Sequence, residues 1–519
     1  MPSSFPSRLR RVRVALPPVD GRLLIGSLLD DAREDTSELS LLLPPGDISS
    51  PEAWNAPLVI GIGQAAAYPL RTFIYDTSSL DRIVSEYVAD EMHGICLSDH
   101  PGGADAMPLG FVHAGFERST NDIFRIPRML YVKYPDGSVW GMLTLEQNEN
   151  MPSYEDARER LTRPVLRSSD HGSSDQIPLV DGAAGKPGAK PENASISLDA
   201  ANIIELSNRV ALKGMISKAI DTLRGTELSK VVISWRETVP FPKPLALLDV
   251  LFSMKANEPD CWLLAFTVGD RTRDGHQGGS DSIVLENAEG YSDRQPEEGM
   301  YMIGATPELV LSRDGSVVAS SPLAGPLSPQ MVSGSIERTD NLPRTPAGDS
   351  GHLERLLLDS SKNRLEHSIT VDEITSTIDR YCISVAHSRQ PGIIRLASII
   401  HLETVITGIL RTEMDRPNTT LKLLNDLHPT PAVAGVPREI AMREITELEG
   451  RPRNQYAGIT GWLAGNGDGF NVLNIRTAVI AGDQVTIQAG AGIIESSDVD
   501  DEALEIETKL RSIIRLLPI

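Results

Sequence analysis

Three charged residues near the C-terminus recur at helical spacing. Glu502 and Glu505 are three positions apart and Lys509 follows four positions later, so a helix would place all three on one face. A second predicted helix carries Glu366. Carboxylates from two helices, with no cysteine pair and no zinc-type histidine pair, would suit Mg²⁺. On spacing alone, a solvent-exposed Glu505–Lys509 ion pair is the simpler interpretation.

Cations also occur in predicted strands. Lys230 begins an apolar run that continues through Ile233, and a buried lysine has a lowered pKa and can act as a general base. A lysine whose amine reaches water at the sheet end is the structural alternative. Arg476 lies in a predicted strand, and its planar guanidinium can bind a carboxylate with two hydrogen bonds. Glu308, after the predicted strand 301–305, has the features of an ordinary loop acid.

The hydrophobic pattern mixes helices and strands. Apolar residues at helical spacing predict a helix over 202–224, which leads into a short buried strand over 230–234. The same patterns predict helices near 79–91, 353–376, 421–427 and 503–517, and strands over 57–60, 129–132, 139–145, 458–463, 470–480 and 484–489. Because strands and helices alternate without a regular βαβ rhythm, the sequence predicts an α+β fold with antiparallel sheets.

Composition divides the chain into three parts. Residues 1–165 form an N-terminal part of the fold. Residues 166–200 lose hydrophobic periodicity and are rich in Ser, Asp, Gly, Lys and Pro, which is typical of a flexible connector. Residues 201–519 contain the candidate functional residues, with predicted surface loops at 270–299 and 328–351.

The bulk composition excludes several function classes. The 519 residues are 40% hydrophobic, as in a soluble globular protein, and no apolar run approaches the roughly 20 residues of a membrane span. The formal net charge of -22 argues against a nucleic-acid partner, and an anionic substrate would need a local cluster of cations. Three cysteines give no disulfide framework, so we expect a cytoplasmic protein whose N-terminal arginines belong to a basic first strand rather than a transit peptide.

A glycine-rich turn mimics the start of a dinucleotide-binding site. Gly61 and Gly63 follow an apolar strand, but Pro69 interrupts the helix whose N-terminus would hold a pyrophosphate. A second candidate, Gly490 with Gly492, lacks the third glycine of the pattern. A nucleotide-dependent oxidoreductase is therefore a weak alternative.

Seven blocks of the C-terminal half occur in a characteristic order. They are Ser229–Ser234 (SKVVIS), Gly304–Leu309 (GATPEL), Pro322–Gly325 (PLAG), Arg364–His367 (RLEH), His428–Gly435 (HPTPAVAG), Gln488–Ile493 (QAGAGI) and Glu505–Lys509 (EIETK). Together they resemble the chorismate-utilising enzymes, a family that includes isochorismate synthases, salicylate synthases and the large subunits of anthranilate and aminodeoxychorismate synthases. The resemblance implies one large chorismate-binding domain, with antiparallel sheets flanked by helices as in anthranilate synthase component I.

The resemblance also implies a role for each candidate residue. Lys230 would activate water for attack on C2 of chorismate, and Glu308 would protonate the departing C4 hydroxyl. Mg²⁺, bound by Glu366, Glu502 and Glu505, would hold the ring carboxylate. The implied substrate-binding positions are Arg476 and Tyr456 for the enolpyruvyl carboxylate, Lys509 with the amides around Gly490 and Gly492 for the rest of the cradle, and Gly325, His401 and Ala432 for the pocket wall.

The nucleophile distinguishes the members of this family. Amine-transferring and salicylate-forming relatives commonly carry Thr where this chain has Ala432, and isochorismate synthases commonly have Ala. With no recognisable glutaminase in the sequence, no glutaminase subunit is expected, and water is the expected nucleophile. The expected function is isochorismate synthesis for menaquinone, siderophore or other aromatic metabolism. The alternatives are a salicylate synthase, an ammonia-using anthranilate or aminodeoxychorismate enzyme, and a weakly active specialised paralogue.

Four residues depart from the family pattern. Trp235 replaces a common arginine, Pro326 a Thr or Ser, Asn363 an acidic residue and Leu365 a histidine. Period-two alternation places Trp235 on the strand face opposite Lys230. Pro326 and Asn363 are nearer to the proposed substrate and metal, so these two residues favour the weakly active alternative most.

Overall fold

The computed structural model describes about two thirds of the chain, and most of the described residues form strands and helices. It describes residues 10–16, 24–25, 28, 39–45, 58–62, 64, 66–69, 108–117, 123–134, 138–145, 152, 156–162, 208–241, 244–268, 300–329, 331–332 and 350–518. The strands are β1 Arg10–Leu16, β2 Leu39–Leu43, β3 Leu58–Ile62, β4 Ala66–Pro69, β5 Pro108–Ala114, β6 Ile123–Ile126, β7 Met129–Lys133, β8 Val139–Leu145, β9 Lys230–Pro240, β10 Trp262–Thr267, β11 Tyr301–Thr306, β12 Leu309–Asp314, β13 Val317–Ser321, β14 Leu323–Leu327, β15 Cys382–His387, β16 Gly392–Arg395, β17 Ile400–Glu403, β18 Ile406–Leu410, β19 Gly435–Val436, β20 Ile459–Ala464, β21 Gly469–Leu473, β22 Thr477–Ala481 and β23 Gln484–Ile493. The helices are α1 Arg209–Gly225, α2 Leu247–Asn257, α3 Ser350–Asp359, α4 Ser361–Asp379, α5 Thr419–Leu427, α6 Arg438–Glu449 and α7 Val499–Arg515, and Thr412–Met414 forms a 3-10 turn.

Antiparallel pairing joins the described strands into three sheets. Their orders are β1-β8-β7-β3-β2-β10-β11-β22-β23-β9-β19, β15-β18-β13-β12-β21-β20-β5-β6-β4 and β14-β17-β16. The predicted α+β fold with antiparallel sheets flanked by helices is confirmed. Strand β2 pairs with β10 and β5 pairs with β20, so both parts of the chain contribute to the two larger sheets. The connector predicted at 166–200 lies outside the described residues, and the domain boundaries stay predictions.

Two predicted elements are divided in the structure. The helix predicted over 353–376 is two helices, α3 and α4, because Ser360 leaves the helical conformation and its side chain accepts a hydrogen bond from the Asn363 amide as the cap of α4. The strand predicted over 470–480 is β21 and β22, interrupted at Arg476, which has a φ of 53°. A residue in this left-handed conformation turns the chain out of the strand. The helix predicted near 79–91 lies outside the described residues.

The hydrophobic core fixes which face of β9 is available for chemistry. Helix α7 packs against β23 and α1, where Ile506 and Leu212 are buried together. Val231 and Ile233 of β9 belong to the same core. Since successive strand residues point to opposite faces, Lys230 is directed away from this core. No helix in the described part of the chain is long and apolar enough to cross a membrane.

Candidate active site

A cleft between the sheets and helices collects most of the predicted site residues. Its volume is about 690 Å³ when the opening to solvent is included, and it is lined by residues of β9, β14, β17, β23, α4 and α7, among other segments. Ten of the thirteen predicted residues line it: Glu308, Gly325, Glu366, His401, Ala432, Tyr456, Arg476, Gly490, Gly492 and Lys509. Lys230 and Glu505 are ion-paired to two of these lining residues, and Glu502 lies on the same helix as Glu505.

Lys230 is the first residue of β9 and is completely buried. Its amine donates a hydrogen bond to Thr370 Oγ1 at 3.1 Å and lies 3.2 Å from Glu366 Oε1, both on α4. Thr370 Oγ1 in turn donates to the Glu366 carbonyl. The amine therefore does not reach water at the sheet end, and its position is fixed by two groups on one helix.

Glu308 follows β11 and is almost fully buried in the wall of the cleft. Burial raises the pKa of its carboxyl group to about 8, although Lys230 and Lys509 act in the opposite direction. At neutral pH the side chain is therefore mostly a neutral acid. A carboxylic acid in this state can donate a proton to a leaving group.

Six charged side chains form what we call the acid–lysine cluster: Glu366, Glu502, Glu505, Lys230, Lys362 and Lys509. The three carboxylates are buried, and each is paired with one lysine. The distances are 3.2 Å for Lys230 Nζ to Glu366 Oε1, 2.5 Å for Lys362 Nζ to Glu502 Oε1, and 2.7 Å for Lys509 Nζ to Glu505 Oε1. The Glu505–Lys509 pair is thus not the solvent-exposed pair that spacing alone suggested.

The pKa values within the cluster follow from burial and from the opposed charges. Burial raises the pKa of Glu502 to about 7, with a further contribution from Glu505 and opposition from Lys362. Burial also disfavours ionisation of Glu366, but Lys230, Lys362 and Lys509 together lower its pKa. Burial disfavours the charged form of Lys362, yet the three carboxylates raise its pKa above the ordinary value. The opposite charges therefore outweigh the effect of burial on the pKa at Glu366 and Lys362, whereas burial dominates at Glu502.

The carboxylates of the cluster fit a hard divalent cation by their chemistry. Glu366 Oε2 and Glu502 Oε2 are buried without a hydrogen-bond partner, and unpaired carboxylate oxygens are the ligands that Mg²⁺ prefers. Within the described residues, however, no three acidic, histidine or cysteine side chains are already arranged around one metal position. The carboxylate ligands are present, but the three lysines neutralise part of the negative charge of these carboxylates.

A second group of charged residues, the arginine cluster, consists of Arg476, His401 and Glu258. Arg476 Nη2 donates to His401 Nε2 at 3.2 Å, and Nη1 lies 3.6 Å from Glu258 Oε1. Because a guanidinium can only donate, His401 Nε2 must be the acceptor, so the ring is neutral with its proton on Nδ1. Burial and the charge of Arg476 lower the pKa of His401 accordingly. Arg476 Nη1 is buried without a hydrogen-bond partner, which suits an incoming carboxylate.

Arg453 supports the wall that carries Ala432 and Tyr456 and was not predicted from the sequence. Its guanidinium donates to the Val433 carbonyl at 2.7 Å and to the Val232 carbonyl at 2.8 Å. It also forms an ion pair with Glu449 and lies over the Tyr456 ring, 5.9 Å from the ring centroid. Burial raises the pKa of Tyr456, which stays a neutral phenol. Arg453 thus joins the Ala432 turn to β9.

Close backbone approaches explain the small residues of the cleft. A Cβ atom on Gly325, which has a φ of 63°, would collide with Asn363, and one on Gly492 would collide with the Glu366 carboxylate. Lys509 Nζ donates to the Gly490 carbonyl at 2.8 Å. Pro326 lines the cleft opposite His401 of β17, at a register shift between β14 and β17.

The two other departures from the family pattern lie away from the cleft lining. The Trp235 indole donates to Glu237 on its own strand, and Leu365 is 51% exposed. Sequence reasoning missed Lys362, Thr370, Glu258 and Arg453. Lys362 could have been found from its position four residues before Glu366 on the same predicted helix. Arg453 is four residues after its ion-pair partner Glu449, but its carbonyl partners Val232 and Val433, like the Arg476 partner of Glu258, are remote in sequence and give no local signal.

Comparison with known proteins relates the C-terminal part of the chain to one family. Residues 290–518 match the family described as "Chorismate binding enzyme". This match confirms the resemblance to chorismate-utilising enzymes that the sequence blocks indicated. Within that class, the similar proteins named below are isochorismate synthases.

The provisionally named isochorismate synthase MenF of Mycobacterium tuberculosis is 38% identical over 223 residues, which are 43% of this chain and 55% of that protein. The vibriobactin-specific isochorismate synthase of Vibrio cholerae is 32% identical over 45% of this chain and 55% of its own length. The chain therefore spans little more than half the length of these relatives. The solved structure of MenF, the menaquinone-specific isochorismate synthase of Escherichia coli, is similar in fold, with a TM-score of 0.62, 18% identity, and coverage of 99% of this chain and 95% of that one.

Proposed function

We propose that the chain is an isochorismate synthase that converts chorismate to isochorismate with Mg²⁺. Two observations together carry the proposal: Glu308 is a neutral buried acid in the wall of the cleft, and the buried Lys230 is ion-paired to Glu366, which lines the same cleft. Lys230 has the chemistry of a base and Glu308 that of an acid, and the isomerisation needs one of each. The relatives named as isochorismate synthases support this choice of reaction.

In this proposal Lys230 first releases its ammonium proton to solvent and then, as a neutral amine, takes a proton from water as the oxygen bonds to C2 of the ring. The ring double bonds shift, and the C4–oxygen bond breaks. Glu308 donates its proton to the departing hydroxyl, which leaves as water, so that no net proton is gained or lost once Lys230 and Glu308 re-equilibrate with solvent. The hydrogen bond from Lys230 to Thr370 keeps the amine in position.

The carboxylates of chorismate would be held by the two charged clusters. Arg476 Nη1, buried without a hydrogen-bond partner, would bind the enolpyruvyl carboxylate next to Tyr456. Glu366, Glu502 and Glu505 would hold Mg²⁺, which when bound would neutralise the charge of the ring carboxylate. Lys509 and the backbone around Gly490 would complete the binding surface, alongside Gly325, His401 and Gly492.

Ala432 supports water as the nucleophile. It lines the cleft, and its methyl group offers no hydrogen bond to ammonia or to a ring substituent. We accordingly propose a small-molecule enzyme of the cytoplasm that needs no glutaminase subunit, nucleic acid or membrane.

The test is product identification. Purified protein with chorismate and Mg²⁺ should give isochorismate, resolved by chromatography and mass spectrometry at short and long times. Addition of an ammonium salt should not create an aminated product. Anthranilate or an aminodeoxy compound as the main product would reject the proposal, and salicylate without early isochorismate would instead identify a salicylate synthase.

A further inference from the structure

Lys362 connects the two helices that carry the carboxylates of the acid–lysine cluster. It is the second residue of α4, one helical turn before Glu366, and its amine lies 2.5 Å from Glu502 Oε1 on α7. Glu366, Glu502 and Glu505 all act electrostatically on this one ammonium group. Lys362 is thus the cation common to all three carboxylates.

The other two lysines of the cluster are held by additional groups. Lys230 also donates to Thr370 Oγ1, and Lys509 also donates to the Gly490 carbonyl. For the Lys362 side chain, the described residues provide Glu502 as partner, and its side chain is 29% exposed. A lysine with a flexible stem and an open path to water can move its charge outward with little rearrangement. Of the three lysines, Lys362 is therefore the one whose ammonium group can move away from the carboxylates most easily.

We propose that the Lys362 ammonium is a built-in counter-ion that occupies the divalent-cation position between α4 and α7 and moves toward solvent when the cation binds. The inference rests on the metal ligands of the proposed function. In the metal-free protein, Lys362 neutralises Glu502, whose carboxylate would otherwise be buried without a cation. A divalent cation and this ammonium cannot share the same carboxylates without strong repulsion. Lys362 would therefore lower the affinity for the cation and stabilise the protein without the cation.

The experiment measures binding of Mn²⁺, as a spectroscopic substitute for Mg²⁺, to chelator-treated full-length protein without chorismate. Lys362→Met should bind Mn²⁺ at least about tenfold more tightly than wild type, because the competing charge is gone. Lys362→Arg should stay close to wild type, because the charge is kept. Lys213→Met is the matched control: Lys213 forms an ion pair with Asp500 of α7 on the exposed surface, so its removal should leave the affinity unchanged.

Thermal unfolding gives a second readout. Without metal, Lys362→Met should melt at a lower temperature than wild type, and saturating Mn²⁺ should raise its melting temperature by more than it raises that of wild type. Unchanged or weaker Mn²⁺ binding by Lys362→Met would overturn the proposal, as would a lack of binding by both proteins.

A double substitution keeps the proposal testable if Lys362→Met folds poorly. In a Glu502→Gln background, Lys362 has lost its partner, so its replacement by Met should lower the melting temperature much less than in the wild-type background. Equal losses in the two backgrounds would overturn the counter-ion role. None of these measurements uses chorismate, so failure of the chain to form isochorismate would reject the proposed activity without changing their outcome.

Discussion

The acid–lysine cluster and the arginine cluster balance their charges differently. In the first, three buried carboxylates are matched by three lysines at 2.5 to 3.2 Å. In the second, Arg476 is 3.6 Å from Glu258, contacts a neutral His401, and keeps one guanidinium nitrogen without a hydrogen bond. One cluster is internally neutralised, whereas the other retains binding capacity for an anion.

This difference assigns different tasks to the two clusters. In the proposed arrangement, a divalent cation would have to displace lysine charge from the acid–lysine cluster, so binding there would be a competition. Arg476 Nη1 makes no hydrogen bond and lies 3.6 Å from Glu258 Oε1, so an incoming carboxylate would compete only with this long ion pair. For the proposed anionic substrate, the local cation Arg476 would matter more than the net charge of -22. The predictions below test this division, starting with the largest effect.

Metal removal should have the largest effect. If Glu366, Glu502 and Glu505 hold Mg²⁺, a chelator should abolish isochorismate formation and added Mg²⁺ should restore it. Glu505→Gln should weaken metal binding severely, because it replaces a charged ligand by a neutral amide. Calorimetric titration with Mg²⁺ and initial rates would measure both effects. Full activity in excess chelator would remove the metal from the mechanism and leave the acid–lysine cluster as a structural feature.

Substitution of the proposed base, Lys230, or the proposed acid, Glu308, should have the second-largest effect on the rate. Lys230→Ala and Glu308→Gln should each lower kcat by about 10²- to 10⁴-fold, the usual contribution of a general acid or base. Glu413→Gln, in the exposed 3-10 turn, is a matched control that should keep the wild-type rate. Circular dichroism and melting curves must show that the variants fold. A folded variant of Lys230 or Glu308 with the wild-type rate would exclude that residue from catalysis.

Arg476→Lys tests the arginine cluster separately. Lysine keeps the positive charge but loses the planar pair of donors, so KM for chorismate should rise by roughly 10- to 100-fold while kcat changes less. Arg443→Lys on the exposed face of α6 serves as the control. Steady-state kinetics with saturating Mg²⁺ would separate the two parameters. If kcat fell and KM stayed constant, Arg476 would act on the reacting centre rather than on binding.

The pH dependence tests the protonation of Glu308. Its pKa is raised to about 8 by burial, so the acid form that can donate a proton predominates below that pH and disappears above it. The rate should therefore fall by about tenfold per pH unit well above pH 8, and this alkaline decline should be absent in the residual activity of Glu308→Gln. The kcat profile at saturating substrate measures the effect. A rate that rises through pH 8 to 9 would contradict Glu308 as the acid.

The sequence predicted some of this arrangement but not all of it. Helical spacing identified Glu502, Glu505 and Lys509 as one face of a helix, because that relation is local. The break at Arg476 was missed, since only tertiary packing imposes a left-handed residue inside a β-rich segment. Arg453 bonds carbonyls that are 20 and 221 positions away, and no local pattern contains such information. In the acid–lysine cluster, unlike the arginine cluster, each carboxylate is paired with a lysine. This pairing also depends on tertiary contacts between α4, α7 and β9.

The smallest expected effect concerns the choice of nucleophile at Ala432. This residue lines the cleft in the turn that Arg453 ties to β9 through the Val433 carbonyl. Ala432→Thr adds both bulk and a hydroxyl that can donate and accept hydrogen bonds, so it should slow isochorismate formation a few-fold and increase salicylate or pyruvate as by-products. Ala432→Val has nearly the same shape as threonine without the hydroxyl and separates the two causes. If both variants are slow but only Ala432→Thr changes the product ratio, the hydroxyl acts on the ring or on the nucleophile. If neither rate nor products change in either variant, as measured by mass spectrometry with and without ammonium, Ala432 does not lie beside the reacting carbon, and the argument for water from this position fails.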